Sequence, residues 1–195
     1  MTRAFRPDLV PHDLVEHLVD LASRAPSAGK TQGWHLIVLE GAETARFWDS
    51  TFPAEQRDGF GWPHLLDAPV IAVPLADPPA YVDRYDQPDK AGARSDGGRL
   101  GSGTEAWPAP YWTIDAAMAV MTMLLGAEDA GLGALFFGVF HGEAALRQAL
   151  GVPDHLELLG AVALGWPLEE GAVPAGASAR RPRRRTAEII HRGGW

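Results

Sequence analysis

The sequence predicts a single domain over residues 1–195, of class α+β or α/β, because short apolar runs alternate with amphipathic segments. Its 195 residues are 46% hydrophobic and 22% charged, which is ordinary for a globular chain able to bury a sizeable core. No internal repeat is visible. The hydrophobic pattern alone does not choose between the two classes.

The first predicted element is an amphipathic helix. Asp13 and Glu16, three residues apart, predict its N-cap, and Pro26 ends it by removing a backbone donor. A second helix is predicted through Phe47 and Trp48. Further helices are predicted at 113–130 and 143–150, and strands at 35–39, 68–74, 133–139 and 158–165.

The composition changes between residues 77 and 110, where prolines, glycines and charges dominate. A segment of this length without regular structure is typically a lid, a binding loop or disordered. We therefore predict an irregular, lid-type loop over about 77–110.

Charge and composition exclude several classes of protein. The net charge of −8 argues against a general nucleic-acid binder, and the absence of cysteine excludes a disulfide framework and a thiol nucleophile. The longest apolar run is interrupted by Asp115, Glu128 and Asp129, which argues against a membrane span. We expect a cytoplasmic protein with neither a nucleic-acid nor a membrane partner.

The motifs of other common enzyme classes are missing. The seven histidines show no metal-ligand spacing, so we expect no metal site. Ser27 lacks the Gly-x-Ser-x-Gly pattern of a hydrolase, and no Gly-x-Gly-x-x-Gly follows a strand.

The loop from Arg24 to Trp34 is unusually rich in hydrogen-bond donors. Ser27, Lys30 and Gln32 offer hydroxyl, ammonium and amide groups, and the glycines at 29 and 33 would let a ligand approach the backbone. A plain polar surface loop is the alternative.

Aromatic residues precede the longest predicted helix. Trp107, Tyr111 and Trp112 either wall a planar ligand or anchor the loop on the core. Helix 113–130 is too apolar for a helix with one wet face, which indicates either a subunit interface or burial inside a monomer.

Four segments together carry a resemblance to a known family. They are Thr2-Arg-Ala-Phe5, Pro26-Ser-Ala-Gly-Lys-Thr-Gln-Gly-Trp34, Gly131-Leu-Gly-Ala-Leu-Phe-Phe-Gly138 and Arg183-Arg-Arg-x-x-Glu188. The second resembles the Pro-Ser-x-x-Asn-x-Gln-Pro-Trp loop of the nitroreductase family of flavin enzymes, and all four occur in the family's order. The resemblance implies an α+β fold with a central mixed or antiparallel sheet flanked by helices, in an interleaved homodimer.

The resemblance also implies the cofactor, FMN, and its contacts. A backbone N–H of Phe137 or Gly138 would meet the flavin N5, and the arginines near the C-terminus would hold the phosphate. Trp107, Tyr111 and Trp112 would border the substrate pocket, and no side chain need act as a catalytic acid or base. The implied cofactor-binding residues are Arg3, Pro26, Ser27, Ala28, Lys30, Gln32, Phe137, Gly138, Arg183, Arg184 and Arg185.

The implied activity is ping-pong hydride transfer, in which NAD(P)H reduces an electron-poor small molecule such as a nitroaromatic or a quinone. Departures from the family pattern are Met1 at its serine position, Lys30 for Asn, Gly33 for Pro and Phe137 for Glu. The alternatives are flavin binding without turnover, a specialised dehalogenase, flavin-fragmenting or dehydrogenase type, and a nucleic-acid-associated protein using the arginine run.

Overall fold

The computed structural model describes residues 1–168 and 180–195. Five α-helices and seven strands lie in this part of the chain. In order they are α1 (His12–Ser23), β1 (Trp34–Glu40), α2 (Thr44–Thr51), β2 (Val70–Ala76), α3 (Pro78–Asp86), β3 (Arg94–Ser95), β4 (Gly98–Arg99), α4 (Tyr111–Asp129), β5 (Gly133–Phe137), α5 (Glu143–Leu150), β6 (Glu157–Leu158) and β7 (Ala161–Gly165).

The main sheet has the strand order β1-β2-β7-β5, and β6 pairs with β2 beside β7. Every pair in it is antiparallel. All seven residues of β2 are buried, as expected for a central strand covered on both faces. The predicted α+β class is confirmed, since helices flank an antiparallel sheet. Strands β3 and β4 form a separate small hairpin.

The two faces of the sheet carry different helix pairs. Ile71 and Val73 of β2 pack with α2 and α5, whereas Val70 and Ala72 pack with α1 and α4. Alternation along one strand thus divides its side chains between two cores. Helices α1 and α4 approach closely at Gly126, where a Cβ atom would lie 2.9 Å from a methyl of Leu21.

Two local predictions were wrong. Helix α1 begins after Pro11, with no side-chain cap, and the Asp13 carboxylate instead accepts the N–H of Leu14. The strand predicted at 158–165 is divided into β6 and β7 at Gly160, whose φ is +144°. A Cβ atom at Gly160 would lie 2.6 Å from the carbonyl oxygen of Phe137, so a side chain is excluded at this break.

The segment 77–110 is more ordered than its composition predicts. Asp77 caps α3 by accepting the N–H of Ala80 at 3.1 Å, and Pro78 occupies the helix's first turn. Proline is favourable there because that turn's N–H groups have no partner within the helix. Tyr81 of α3 is fully buried. The prediction of irregular structure was therefore wrong for these residues, while a lid role for the segment stays a prediction.

Candidate functional site

The donor-rich loop, residues 26–33, is called the donor loop below. Its ends are joined because the Ser27 hydroxyl accepts the Gln32 N–H at 3.0 Å, and the Gln32 amide donates to the Ser23 carbonyl at 3.2 Å. Lys30 and Gln32 have φ values of +56° and +53°. Non-glycine residues adopt such angles at a cost of about 1–2 kcal/mol each, and they concentrate at functional sites.

The glycines of the donor loop make room for the protein's own side chains. A Cβ atom at Gly29 would lie 2.8 Å from the ring of Tyr85, and one at Gly33 would lie 2.7 Å from the ring of Tyr81. We expected these glycines to admit a ligand. They instead let α3 pack against the loop.

Asp115 was missed as a site residue. Its Oδ2 atom accepts the backbone N–H of Ala28 at 2.7 Å and the hydroxyl of Tyr81 at 2.7 Å. The carboxylate therefore joins α4 to both α3 and the donor loop. The sequence did contain one signal, a single acidic side chain on an otherwise apolar face of a helix. Burying a carboxylate costs free energy unless hydrogen-bond donors contact it.

A second feature is an aromatic cavity of about 430 Å³, lined by Phe and Trp side chains of α2, residues 52–62 and the end of β5. Arg3, Phe137 and Gly138 all line it, so three of the predicted cofactor-binding residues come together. The guanidinium carbon of Arg3 lies 5.4 Å from the centre of the Trp62 ring, a cation–π contact at the cavity wall.

Two donors at this cavity lack an acceptor. Trp48 is 6% exposed, and its indole N–H has no hydrogen-bond partner within the described residues. The backbone N–H of Gly138, one residue beyond β5, likewise donates to no backbone or side-chain acceptor in 1–168 and 180–195. A cavity with apolar walls and a few convergent polar groups is the usual form of a small-molecule site.

The donor loop and the aromatic cavity lie at the same end of the sheet but at opposite edges. The loop leads into Trp34, which pairs with Ala76 at one edge, while Phe137 pairs with Ala161 at the other. With β2 and β7 between them, the two edges are separated by about 14 Å at ordinary strand spacing. The donor loop and the aromatic cavity of one chain are therefore separate candidate sites, and they are called the two half-sites below.

The three aromatic residues at the start of α4 have different surroundings: Trp107 precedes the helix, and Tyr111 and Trp112 are its first two residues. Trp107 and Tyr111 line a smaller cavity of about 280 Å³ that also includes Ala28 of the donor loop. Trp112 does not line that cavity. It is 8% exposed, and its indole N–H donates to Glu157 at 2.9 Å. Trp112 therefore anchors the start of α4 on the core, whereas a ligand-binding role for Trp107 and Tyr111 stays a prediction.

The C-terminal arginines are exposed and lie in neither cavity of the single chain. Arg184 donates to the carbonyl of Glu188, and the N–H of Arg185 donates to the Glu188 carboxylate at 2.6 Å. Arg183 is likewise exposed. Pro26 and Lys30 are exposed, as is Gln32, on the outer side of the donor loop.

Neither a membrane-spanning helix nor a metal-binding cluster is found among the described residues. No helix there is long and apolar enough to cross a membrane. Across 1–168 and 180–195, no group of three His, Asp or Glu side chains is arranged so that it could hold a metal ion.

The described residues thus form an α+β protein with an aromatic cavity and a separate, donor-rich polar loop. The sequence profile of the Nitroreductase family matches residues 1–166. The chain belongs to this family, as the four sequence segments predicted, and is an oxidoreductase of nitroreductase type.

Relatives and solved structures agree with this assignment. An NADH dehydrogenase of Thermus thermophilus is 32% identical over 180 residues, covering 87% of this chain and 83% of the relative. A 5,6-dimethylbenzimidazole synthase of Rhodospirillum rubrum is 27% identical over 195 residues, covering 92% and 85%. The crystal structure of an oxidoreductase containing FMN superimposes with a TM-score of 0.69 at 19% identity, covering 98% and 86%.

Proposed function

We propose that the protein is an FMN-dependent oxidoreductase that uses NAD(P)H to reduce an electron-poor small molecule, such as a nitroaromatic or a quinone. The observation that carries the proposal is the aromatic cavity, in which Arg3, the end of β5 and the Gly138 N–H, unpaired among the described residues, come together. The similarity to an NADH dehydrogenase and to an oxidoreductase containing FMN supports it.

The residues present fit FMN. Apolar aromatic walls suit a planar ring and exclude water, and the Gly138 N–H can donate to a ring nitrogen without giving up another bond. The Arg3 guanidinium supplies positive charge beside the ring. When bound, FMN would accept a hydride from NAD(P)H and pass the electrons to the acceptor in a second half-reaction. The protein's part is to position and tune the ring.

We propose that the two half-sites meet across a homodimer, with the donor loop of one chain facing the aromatic cavity of the other. Ile114, Met121 and Leu125 form an exposed apolar stripe on one face of α4, 41%, 51% and 60% exposed. A stripe of this kind marks an interaction surface. It favours a subunit interface over complete burial of α4 within a monomer.

The remaining contacts follow from this arrangement. Ser27, Lys30 and Gln32 of the donor loop would contact the partner's cofactor, together with Pro26 and Ala28. Arg183, Arg184 and Arg185 would hold the phosphate, because a guanidinium binds phosphate oxygens in a bidentate manner. Trp107 and Tyr111, backed by Trp112, would border the bound acceptor.

The test is a titration of the purified protein with FMN, followed by assays of NADH and NADPH oxidation with a nitroaromatic and a quinone. We expect flavin absorbance to co-elute with the protein and double-reciprocal plots to be parallel, as in ping-pong kinetics. Flavin binding without NAD(P)H oxidation would show a binding protein instead. A colourless protein that binds DNA in a salt-sensitive manner would contradict the proposal.

A specialised reaction is the second candidate, favoured by the similarity to the Rhodospirillum rubrum synthase along 92% of this chain. Mass spectrometry of a reaction with reduced FMN in air would detect 5,6-dimethylbenzimidazole if this chain forms it. Its absence, with acceptor reduction intact, would favour the first proposal.

A further inference from the structure

Asp115 is unusual among the buried residues of this protein. It is 5% exposed, and aromatic residues aside, the only other buried polar residue among the described residues is Thr44. No lysine, arginine or histidine of this part of the chain forms an ion pair with it. A buried carboxylate held only by neutral donors is costly, and an apolar residue there would cost less. Its presence calls for a role beyond stability.

The two donors that meet Asp115 belong to different elements. Tyr81 comes from the fully buried side of α3, and the Ala28 N–H comes from the first turn of the donor loop. Both bonds are 2.7 Å long, which is within the range of well-formed hydrogen bonds. The carboxylate therefore fixes the loop relative to the helices α3 and α4.

The rest of the donor loop depends on that attachment. Arg84 of α3 donates to the carbonyl of Gly29 at 2.9 Å, so α3 holds the loop at a second point. Lys30 and Gln32, the two non-glycine residues with positive φ among the described residues, follow Gly29 within three positions. Strained backbone angles of this kind persist only where more than one contact with the surrounding structure fixes them. Asp115 and Arg84 supply that constraint through Ala28 and Gly29, the two residues that precede Lys30.

We infer that Asp115 is a positioning residue for the cofactor, which holds the donor loop in the shape that the partner subunit's aromatic cavity requires. The inference rests on the proposed function, because it assumes that the loop contacts FMN. Asp115 itself touches no ligand. It acts through Ala28, and its effect falls on the site of the other subunit.

The test compares FMN affinity, measured by quenching of flavin fluorescence, among Asp115→Ala, Asp115→Asn and the matched control Thr44→Ala. The control removes a different buried polar group, a hydroxyl that donates to the Gly41 carbonyl beyond the far end of β1. We expect Asp115→Ala to weaken FMN binding by about tenfold or more. Asp115→Asn keeps one acceptor oxygen and should lie between Asp115→Ala and the wild type. Thr44→Ala should bind like the wild type even where its melting temperature falls equally.

The visible circular dichroism of bound flavin gives a second readout, which a uniform loss of stability would not change. If Asp115→Ala fails to fold, Tyr81→Phe replaces it, since this change removes one donor and leaves the carboxylate with Ala28 alone. Equal FMN affinity and equal dichroism in the Asp115 variants and the control would overturn the inference while the proposed function stands. A wild-type protein that binds no FMN would overturn both.

Discussion

The rings of Trp48 and Phe137 lie nearly parallel, at 6°, with their centres 5.9 Å apart. Phe47 packs against both in edge-on geometry, at 5.0 and 5.8 Å. Helix α2 therefore supports the last residue of β5 through aromatic contacts. The strand end proposed to face the cofactor thus packs against the hydrophobic core, which restrains the position of the Gly138 N–H.

Phe137→Ala should lower the free energy of unfolding by about 2–4 kcal/mol, because it removes the ring that stacks on Trp48 and leaves a cavity. Urea unfolding of the protein without added flavin measures this. Phe136→Ala is the matched control, since the neighbouring side chain is 37% exposed and outside the stack. An equal loss in both variants would contradict a supporting role for the stack.

The sequence predicted the elements whose signals are local. The helical spacing of apolar residues that begins at Leu14 and Leu18 predicted α1. The apolar runs predicted β1, β2 and β5, and their bounds agree with the structure to within a few residues. Helix α3 was missed because Pro78 and Pro79 resemble a break in structure, although proline also suits a helix's first turn. The hydrophobic periodicity of the sequence does not distinguish a break in structure from the first turn of a helix.

The candidate site was predictable only in part, because some of its residues belong to sequence motifs and others depend on contacts between distant segments. Arg3 and Gly138 were named from family motifs and do lie in one cavity. Asp115 was not predicted as a site residue because its role depends on hydrogen bonds from Ala28 and Tyr81. These residues lie 87 and 34 positions away in the chain. When the hydrogen-bond partners of a single carboxylate are distant in the chain, the sequence around that carboxylate contains no motif that identifies them.

Arg184→Ala should weaken FMN binding roughly tenfold to a hundredfold, as expected when one charge-assisted phosphate contact is lost. Arg180→Ala is the control, because it removes the same charge four positions earlier and outside the family's phosphate motif. Flavin titrations at one salt concentration compare the two. Indistinguishable affinities would refute the assignment of Arg184 to the phosphate.

Mixed dimers should test whether the half-sites meet between chains. In a dimer of Arg3→Ala and Gln32→Ala chains, one site would combine an intact cavity with an intact donor loop, and the other would carry both changes. Random pairing would then restore about one quarter of the sites, although both parent homodimers are impaired. NAD(P)H oxidation by the co-expressed chains measures this. No recovery above the parents would show that each site lies within one chain.

Tyr81 should make the protein less stable at high pH. Burial, followed by its hydrogen bond to Asp115, raises the pKa of its hydroxyl well above the usual value. The unfolded chain therefore loses this proton near pH 10 while the folded chain keeps it, so the unfolded state binds fewer protons. The free energy of unfolding should fall above about pH 10, by up to about 1.4 kcal/mol per pH unit from this group.

Tyr81→Phe should be less stable than the wild type at neutral pH, because the Asp115 carboxylate loses one of its two donors. Its stability should nevertheless decline less steeply above pH 10, since the replaced ring has no proton to lose. Tyr111→Phe, which changes a ring 36% exposed to solvent, should keep the wild-type slope. Urea unfolding midpoints between pH 8 and about pH 11 measure all three proteins. Parallel curves for the wild type and Tyr81→Phe would show that this hydroxyl ionises as readily in the folded protein as in the unfolded chain.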